Sequence, residues 1–277
     1  MNSVWSRTGD LKDLRSYPEW LQAIVEALRP LEGRIAGHEL FVQMRDAALR
    51  PGAARNFLIR AWPVIEQFPQ YMGRNLAKLE FGRPGHDLAR SFLTRNIRVE
   101  RHHAEYWAEW AHAAAVPRGQ LLRGSESAAS AALSHWCWFV CDRGSLPEAI
   151  AATNYAIEGV TGQWAQLICS SEQYAQSLPQ ACRKSGMRWL RAHARYDDAH
   201  PWEALEIVAA LLGARPPQSR IEAVRRAVRR SYEYVLLTLQ DCLTHFDSEE
   251  VQPAGAGARR VDEPARPAQQ SLAAAGC

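Results

Sequence analysis

The sequence predicts an all-α protein. Apolar residues recur every three or four positions through most of the chain, which is the period of an amphipathic helix. Glycine and proline mark the breaks between these segments, in "FGRPG", "VPRG", "DRGSLP" and "GARPP". No convincing run alternates β-branched and polar residues over the length of a strand. Long helices joined by short connections are typical of a helical bundle.

The helices can be placed in order along the chain. Pro18 suits the first helical position of the first helix, and Pro63 is expected to kink the third. Pro201 separates the seventh helix from the eighth, because proline disfavours helical geometry in the residue before it. The predicted ranges are 18–28, 34–49, 53–80, 86–115, 127–142, 146–170, 179–197, 201–213 and 218–246.

Composition excludes several classes of function. The chain has 277 residues, 47% of them hydrophobic, and a formal net charge of only +3, so no nucleic-acid-binding stripe is expected. The six cysteines form no CxxC pair, which favours reduced thiols and a cytoplasmic protein. The N-terminus lacks the apolar run of a signal peptide. The longest uncharged apolar run, "SAASAALSHWCWFVC", is shorter than the roughly 20 residues of a membrane span, so no stable membrane insertion is expected.

Two regions are expected. Residues 1–247 carry the helical periodicity and predict a single helical domain. Residues 248–277 are rich in Ala, Pro and Arg and have almost no large apolar side chains. Such a segment cannot offset the entropy of ordering, so we expect a disordered tail.

Two helices carry polar residues at metal-ligand spacing. "RAHARYDDAH" places His193, Asp197 and His200 within about 60° of one another on a helical face. Glu100 and His103 form the Glu-x-x-His pair that di-iron carboxylate bundles use. Taken alone, either pattern is commonly a solvated, charge-rich helix surface. Polar residues on other helices are therefore needed to decide between a metal site and a solvated helix surface.

Two further carboxylates lie in unusually apolar segments. Glu66 is within "AWPVIEQFPQYM" and Glu158 is within "AATNYAIEGVTGQWA". A carboxylate buried without a partner costs several kcal/mol, so each is expected to meet a cation, a metal or a hydrogen-bond donor. Each could separately be the partner of a buried Arg. Together with the other candidates they make an oxygen-rich set with a few imidazoles, which suits iron or manganese.

Several long segments resemble the UndA-type fatty-acid oxidative decarboxylases of the haem-oxygenase-like di-iron oxidase superfamily. The segments that carry the resemblance are "WPVIEQFPQYMGRNL", "RNIRVERHHAEYW", "LSHWCW", "AIAATNYAIEGVTGQW" and "AHARYDDAHPWEALEI". The resemblance implies a haem-oxygenase-like (TenA/PqqC-like) helical bundle of about seven core helices plus short edge helices, without haem. The metal ligands that it implies are Glu66, Glu100, His103, Glu158, His193, Asp197 and His200.

The function implied by this resemblance is oxygen-dependent decarboxylation of medium-chain saturated fatty acids. Dodecanoic acid would give 1-undecene and CO2 through removal of a β-hydrogen, with two Fe(II) ions, O2 and an external electron donor. An apolar tunnel is required for the alkyl chain, and Trp62, Tyr155 and Trp189 are candidates to line it. Because His200 precedes a proline, the segment Asp197–His200 is expected to be adjustable and the second iron to be weakly held.

Three alternatives stay open at this stage. The same scaffold could oxygenate an amine or cleave an amino acid, which predicts a polar pocket. A metal-free thiaminase-type bundle would need an active-site thiol. A non-catalytic bundle would bind metal or a partner without consuming oxygen. The sequence leaves the oligomeric state undetermined.

Overall fold

The computed structural model describes residues 13–124, 127–196 and 200–244, and these residues are helical with short connections. The all-α prediction is confirmed. Asp197 and the predicted tail lie outside the described residues, and the domain boundary near residue 247 stays a prediction. No helix within the described ranges is both long and apolar enough to cross a membrane.

Thirteen α-helices are labelled in chain order for the described ranges. A short 3-10 turn, Leu14–Ser16, precedes them, and a π-helical segment, Ala151–Ile157, joins α7 to α8. The helices are α1 Glu19–Ala36, α2 Glu39–Arg45, α3 Pro51–Leu76, α4 His86–Ala113, α5 Arg118–Arg123, α6 Ala128–Arg143, α7 Leu146–Ile150, α8 Glu158–Cys169, α9 Gln173–Ser177, α10 Arg183–Gly186, α11 Arg188–Tyr196, α12 His200–Leu212 and α13 Gln218–Thr244.

The packing of these helices places α4, α8 and α11 side by side. Helix α3 lies along α4, α11 lies along α8, and α13 covers the π segment and α6. Four tryptophans, from α4, α8 and α11, fill the space between them. Trp189 is central to this cluster, with ring centroids 4.6 Å from Trp107, 5.7 Å from Trp110 and 5.2 Å from Trp164. The tryptophans fix the spacing of the helices that carry the predicted ligands.

Helix boundaries differ from the predicted ones at several places, including α1 and the predicted helix 179–197. Helix α1 continues through Pro30 to Ala36, where the sequence predicted an end at Leu28. Burial of its apolar face, which includes Leu28 and Ile35, persists on both sides of the proline and outweighs the lost backbone hydrogen bond. The predicted helix 179–197 is instead two helices, α10 and α11, and α10 ends at Gly186.

Gly85, just before α4, lies where the chain passes close to α12. It precedes α4 with φ of 77°, and a Cβ atom there would lie 2.8 Å from the backbone nitrogen of Leu211 in α12. Gly82 has a similar φ of 73° but open space around it. Left-handed backbone costs a non-glycine residue about 1–2 kcal/mol at either position. The contact with α12 adds about 1–3 kcal/mol at Gly85 alone.

We therefore expect Gly85→Ala to lower the free energy of unfolding by clearly more than Gly82→Ala does. Denaturant unfolding of both variants measures the difference. Equal losses would show that the close approach of α4 to α12 is not a constraint.

Candidate metal centre

Glu100 and His103 form the starting pair of the site. They lie one helical turn apart on α4, and His103 Nδ1 is 2.9 Å from Glu100 Oε2. The two residues are 7% and 5% exposed, respectively. They share a face with Phe92 and Trp107, since all four fall within about 80° around the helix axis. Glu100 and His103 therefore lie on the buried face of α4.

Helix α11 brings His193 to this pair. The His193 and His103 ring centroids are 4.4 Å apart, and each of Glu100, His103 and His193 offers a ligand atom within 4.8 Å of the others. His193 Nδ1 lies 2.9 Å from the carbonyl oxygen of Trp189, so the proton belongs on Nδ1. The lone pair of Nε2 is then available to a metal, as in many histidine ligands.

The protonation states in this cluster suit metal binding. Burial, with a contribution from His103, lowers the pKa of His193 to about 3, so its imidazole is neutral near pH 7. Burial alone raises the pKa of Glu100, but the neighbouring His103, His193 and His200 outweigh burial and lower this pKa below its usual value. A carboxylate and neutral imidazoles are the forms that bind metal ions.

Glu158 reaches the same cavity from the first residue of α8. It is 6% exposed, and its Oε1 accepts a hydrogen bond of 3.2 Å from Nδ2 of Asn154. Asn154 belongs to the π segment, a rare helical form that often marks functional sites. Sequence analysis missed Asn154; its spacing of four residues before Glu158 was the available signal.

His200 is the first residue of α12 and follows residues 197–199, which the structure does not describe, so the predicted helix break before Pro201 stays a prediction. The His200 side chain is 2% exposed, its ring meets Phe92 edge-on at 6.4 Å, and it lies close enough to act electrostatically on Glu100. Burial lowers the pKa of His200 to about 4. Asp197, the ligand candidate between His193 and His200, lies outside the described residues.

Glu66 does not join the cluster. Its side chain is exposed, so the expectation of a buried carboxylate in this apolar segment is wrong. The cavity is lined from α3 by Val64, Ile65 and Phe68. Glu66 points about 160° away from Val64 and Phe68 around the helix axis, which directs its carboxylate to the opposite side.

The cavity beside the cluster is small and mostly apolar. Its volume is about 30 Å³, and its walls come from α3, α4, α8, α11 and the π segment. Among the predicted substrate contacts, Trp189 lines it, whereas Trp62 is buried without lining it. Tyr155 lines a separate cavity of about 390 Å³ instead. The complete lining is Val64, Ile65, Phe68, Glu100, His103, Ile157, Glu158, Thr161, Trp189 and His193.

Comparison with known families decides the class of this site. A family described as "Iron-containing redox enzyme" matches residues 55–234, a range that includes every ligand candidate. The chain belongs to the iron-containing redox enzyme family. The family and the observed cluster agree, because one carboxylate with two imidazoles is a donor set that suits iron.

Solved structures similar to this member of the iron-containing redox enzyme family confirm its fold. A TenA homologue from Pseudomonas syringae pv. tomato str. DC3000 is 47% identical, with a TM-score of 0.83, over 88% of this chain and 100% of that one. A domain of unknown function with a haem-oxygenase-like fold, from Shewanella denitrificans OS217, is 15% identical, with a TM-score of 0.64, over 84% of this chain and 93% of that one. A search of curated proteins finds no match.

Paired substitutions test the ligand geometry. Glu100→Gln removes the charge of a clustered carboxylate, whereas Glu66→Gln makes the same change on the outer face of α3. We expect Glu100→Gln to weaken Fe(II) binding by about tenfold or more, in line with losses at metal sites, and Glu66→Gln to leave it unchanged. Anaerobic titration with iron, followed by metal analysis, measures both. A similar loss in Glu66→Gln would place that carboxylate at the metal.

The buried imidazoles also predict how stability depends on pH. Histidines of the unfolded chain titrate near pH ~6.5, whereas His193 in the folded state has a pKa of about 3. Between these values the unfolded state binds more protons, so the metal-free protein becomes less stable as the pH falls through this range.

We expect His193→Gln to reduce this loss of stability. Urea unfolding of the metal-free variants near neutral pH and at about pH 4.5, inside the window in which the two states bind different numbers of protons, provides the measurement. His135→Gln, at an exposed position of α6, is the control and should keep the wild-type slope. An unchanged slope in His193→Gln would contradict the assignment.

Proposed function

We propose that this protein uses two ferrous ions and O2 to decarboxylate medium-chain fatty acids, such as dodecanoic acid, to terminal alkenes, such as 1-undecene. The observation that carries the proposal is the buried cluster of Glu100, His103 and His193 facing a cavity with mainly apolar walls. Membership in the iron-containing redox enzyme family supports the metal and the redox chemistry. The resemblance to the UndA-type decarboxylases supports the substrate.

The ligands divide into two groups along the helices. Glu100, His103 and His193 would hold the first iron, and their ligand atoms lie within 4.8 Å of one another. Glu158, His200 and Asp197 would hold the second. Because a proline follows His200 and disfavours helical geometry there, the second iron would be the more weakly bound of the two.

Bound iron would supply the reduction of O2 and the removal of a hydrogen atom from the substrate. The chain itself supplies position and a dry environment. Val64, Phe68 and Ile157 surround the cluster with apolar surface, which excludes water and favours an alkyl chain. Fixing the carboxylate beside the metals sets which carbon lies nearest to them, so regioselectivity comes from geometry.

The redox balance explains why an external donor is needed. Conversion of the fatty acid to alkene and CO2 releases two electrons and two protons. Reduction of O2 to two waters consumes four electrons and four protons. Two electrons and two protons must therefore come from a donor outside the substrate.

The cavity must widen to admit this substrate. Its volume of about 30 Å³ matches one or two water molecules, whereas pockets for ligands of this size measure roughly 300 Å³ or more. We expect the aliphatic side chains Val64, Ile65 and Ile157 to rearrange, because none of them belongs to the tryptophan cluster. On the opposite wall, Trp189 is fully buried and packed between other tryptophans.

Thiaminase-type chemistry is disfavoured by the cysteines. Of the five in the described ranges, none lines the cavity beside Glu100. Burial raises the pKa of Cys141 to about 11 and that of Cys242 to about 12, so both are thiols rather than nucleophilic thiolates near pH 7. Similarity to a TenA homologue therefore supports the fold and not a thiol-dependent reaction.

Headspace gas chromatography tests the proposed reaction directly. Iron-loaded protein incubated with dodecanoate, a reductant and air should release 1-undecene. Glu158→Ala should abolish the alkene, because it removes a carboxylate that lines the cavity beside the Glu100 cluster. Glu66→Ala, which changes an exposed carboxylate, should retain it.

The competing functions predict different outcomes of the same assay. Amine oxygenation or amino-acid cleavage predicts oxygen consumption with those substrates and no alkene from any fatty acid of ten to fourteen carbons. A non-catalytic bundle predicts iron uptake without oxygen consumption. Either result would overturn the proposed function.

A further inference from the structure

Asn96 is a fully buried amide on α4 with an unusual environment. Its side chain is 0% exposed, and neither Nδ2 nor Oδ1 has a hydrogen-bond partner among the residues that the structure describes. Burying an amide without partners is costly, so such groups in folded proteins call for an explanation. A ligand that binds beside Asn96 is the simplest physical explanation.

The position of Asn96 connects the two groups of metal ligands. It lies one helical turn before Glu100 and one turn after Phe92, on the face that also carries His103. Phe92 contacts the ring of His200, and Glu100 belongs to the three-residue cluster. The amide of Asn96 therefore lies on the stretch of α4 between the residues that face His200 and those that face His193.

Another buried asparagine has the hydrogen-bond partners that Asn96 lacks. Asn75 on α3 is also 0% exposed, but its Nδ2 donates to the sulfur of Cys141 at 3.5 Å and its Oδ1 accepts from Lys78 at 3.4 Å. The amide of Asn75 is thus satisfied by neighbouring side chains, whereas that of Asn96 is not.

We propose that Asn96 binds the carboxylate of the fatty acid, with Nδ2–H donating to a carboxylate oxygen. This inference rests on the proposed function and specifies how its substrate is held. A neutral amide is suited to the position, because an Arg or Lys donor beside the metal ions would repel them. The hydrogen bond adds to the attraction of the metals for the same carboxylate and fixes its orientation.

The consequence is selectivity for the head group. A carboxylate accepts the hydrogen bond of Asn96 and neutralises positive charge at the metals, whereas the hydroxyl of an alcohol of equal chain length carries no charge. Replacing Asn96 with Leu keeps a similar side-chain shape but removes the donor. The loss in affinity falls on the acid and spares the alcohol.

Binding to the zinc-loaded protein measures this effect without turnover. We expect wild type to bind decanoate more tightly than decan-1-ol by calorimetry. Asn96→Leu should weaken decanoate binding by about tenfold or more, which corresponds to about 1.4 kcal/mol, and change decan-1-ol binding little. Asn96→Ser, a smaller polar variant, should fall between Leu and wild type.

Stability of the metal-free protein provides a second readout that distinguishes binding from packing. Asn96→Leu replaces an unpartnered buried amide and should raise the melting temperature of the metal-free protein. Asn75→Leu breaks two existing hydrogen bonds and should lower it. A lower melting temperature for Asn96→Leu would assign Asn96 to packing and overturn the proposal.

The remaining outcomes separate this inference from the proposed reaction. Unchanged decanoate binding in Asn96→Leu, equal losses for acid and alcohol, loss of zinc from the variant, or no decanoate binding by wild type would each overturn it. If Asn96-dependent decanoate binding occurs but iron-loaded wild type yields no alkene, carboxylate recognition stands and the proposed decarboxylation fails.

Discussion

The pairing of Glu100 with the imidazoles around it is the interaction on which the site depends. A carboxylate that is 7% exposed inside an apolar bundle is stable only with compensating charge or hydrogen bonds. His103 contacts it within the same helix at 2.9 Å, and His193 is brought in by α11. The cluster therefore couples the positions of α4 and α11.

The π segment makes a second contribution that ordinary helical geometry would not provide. All seven of its residues are buried, and it carries Asn154 to within hydrogen-bonding distance of Glu158. The wider turns of a π-helix change which side chains lie on the same face. The residues that face a given neighbour therefore differ between α7 and α8, although the two helices are joined without a loop. Because all residues of the π segment are buried, its sequence shows no alternation of polar and apolar faces. The periodicity of the surrounding residues therefore predicted one long helix but not the π-helical turns within it.

Glu66 and Glu158 show what apolar context predicts and what it misses. Both lie among apolar residues in the sequence, yet only Glu158 is buried, and Glu66 is exposed. Counting apolar neighbours ignores direction, whereas the spacing of Val64 and Phe68 already places Glu66 on the other side. The fold class was predictable because apolar residues recur with the helical period. The clustered candidates Glu100 and His103 were predictable because they are one helical turn apart. The continuation of α1 through Pro30 was not, since tertiary burial outweighs the local penalty there.

The two walls of the cavity differ in how far they can adapt. On one side, Trp189 stacks on His193 at 3.7 Å and contacts three further buried tryptophans, so a displacement of this wall would disrupt the core and the metal ligands together. On the other side, Val64, Ile65 and Ile157 are aliphatic and make no ring stacking. An alkyl chain bound as proposed would displace the aliphatic side, because that displacement leaves Trp189 and His193 in place. The reacting end of such a substrate would then lie at the fixed wall, and differences in chain length would be accommodated at the adaptable one.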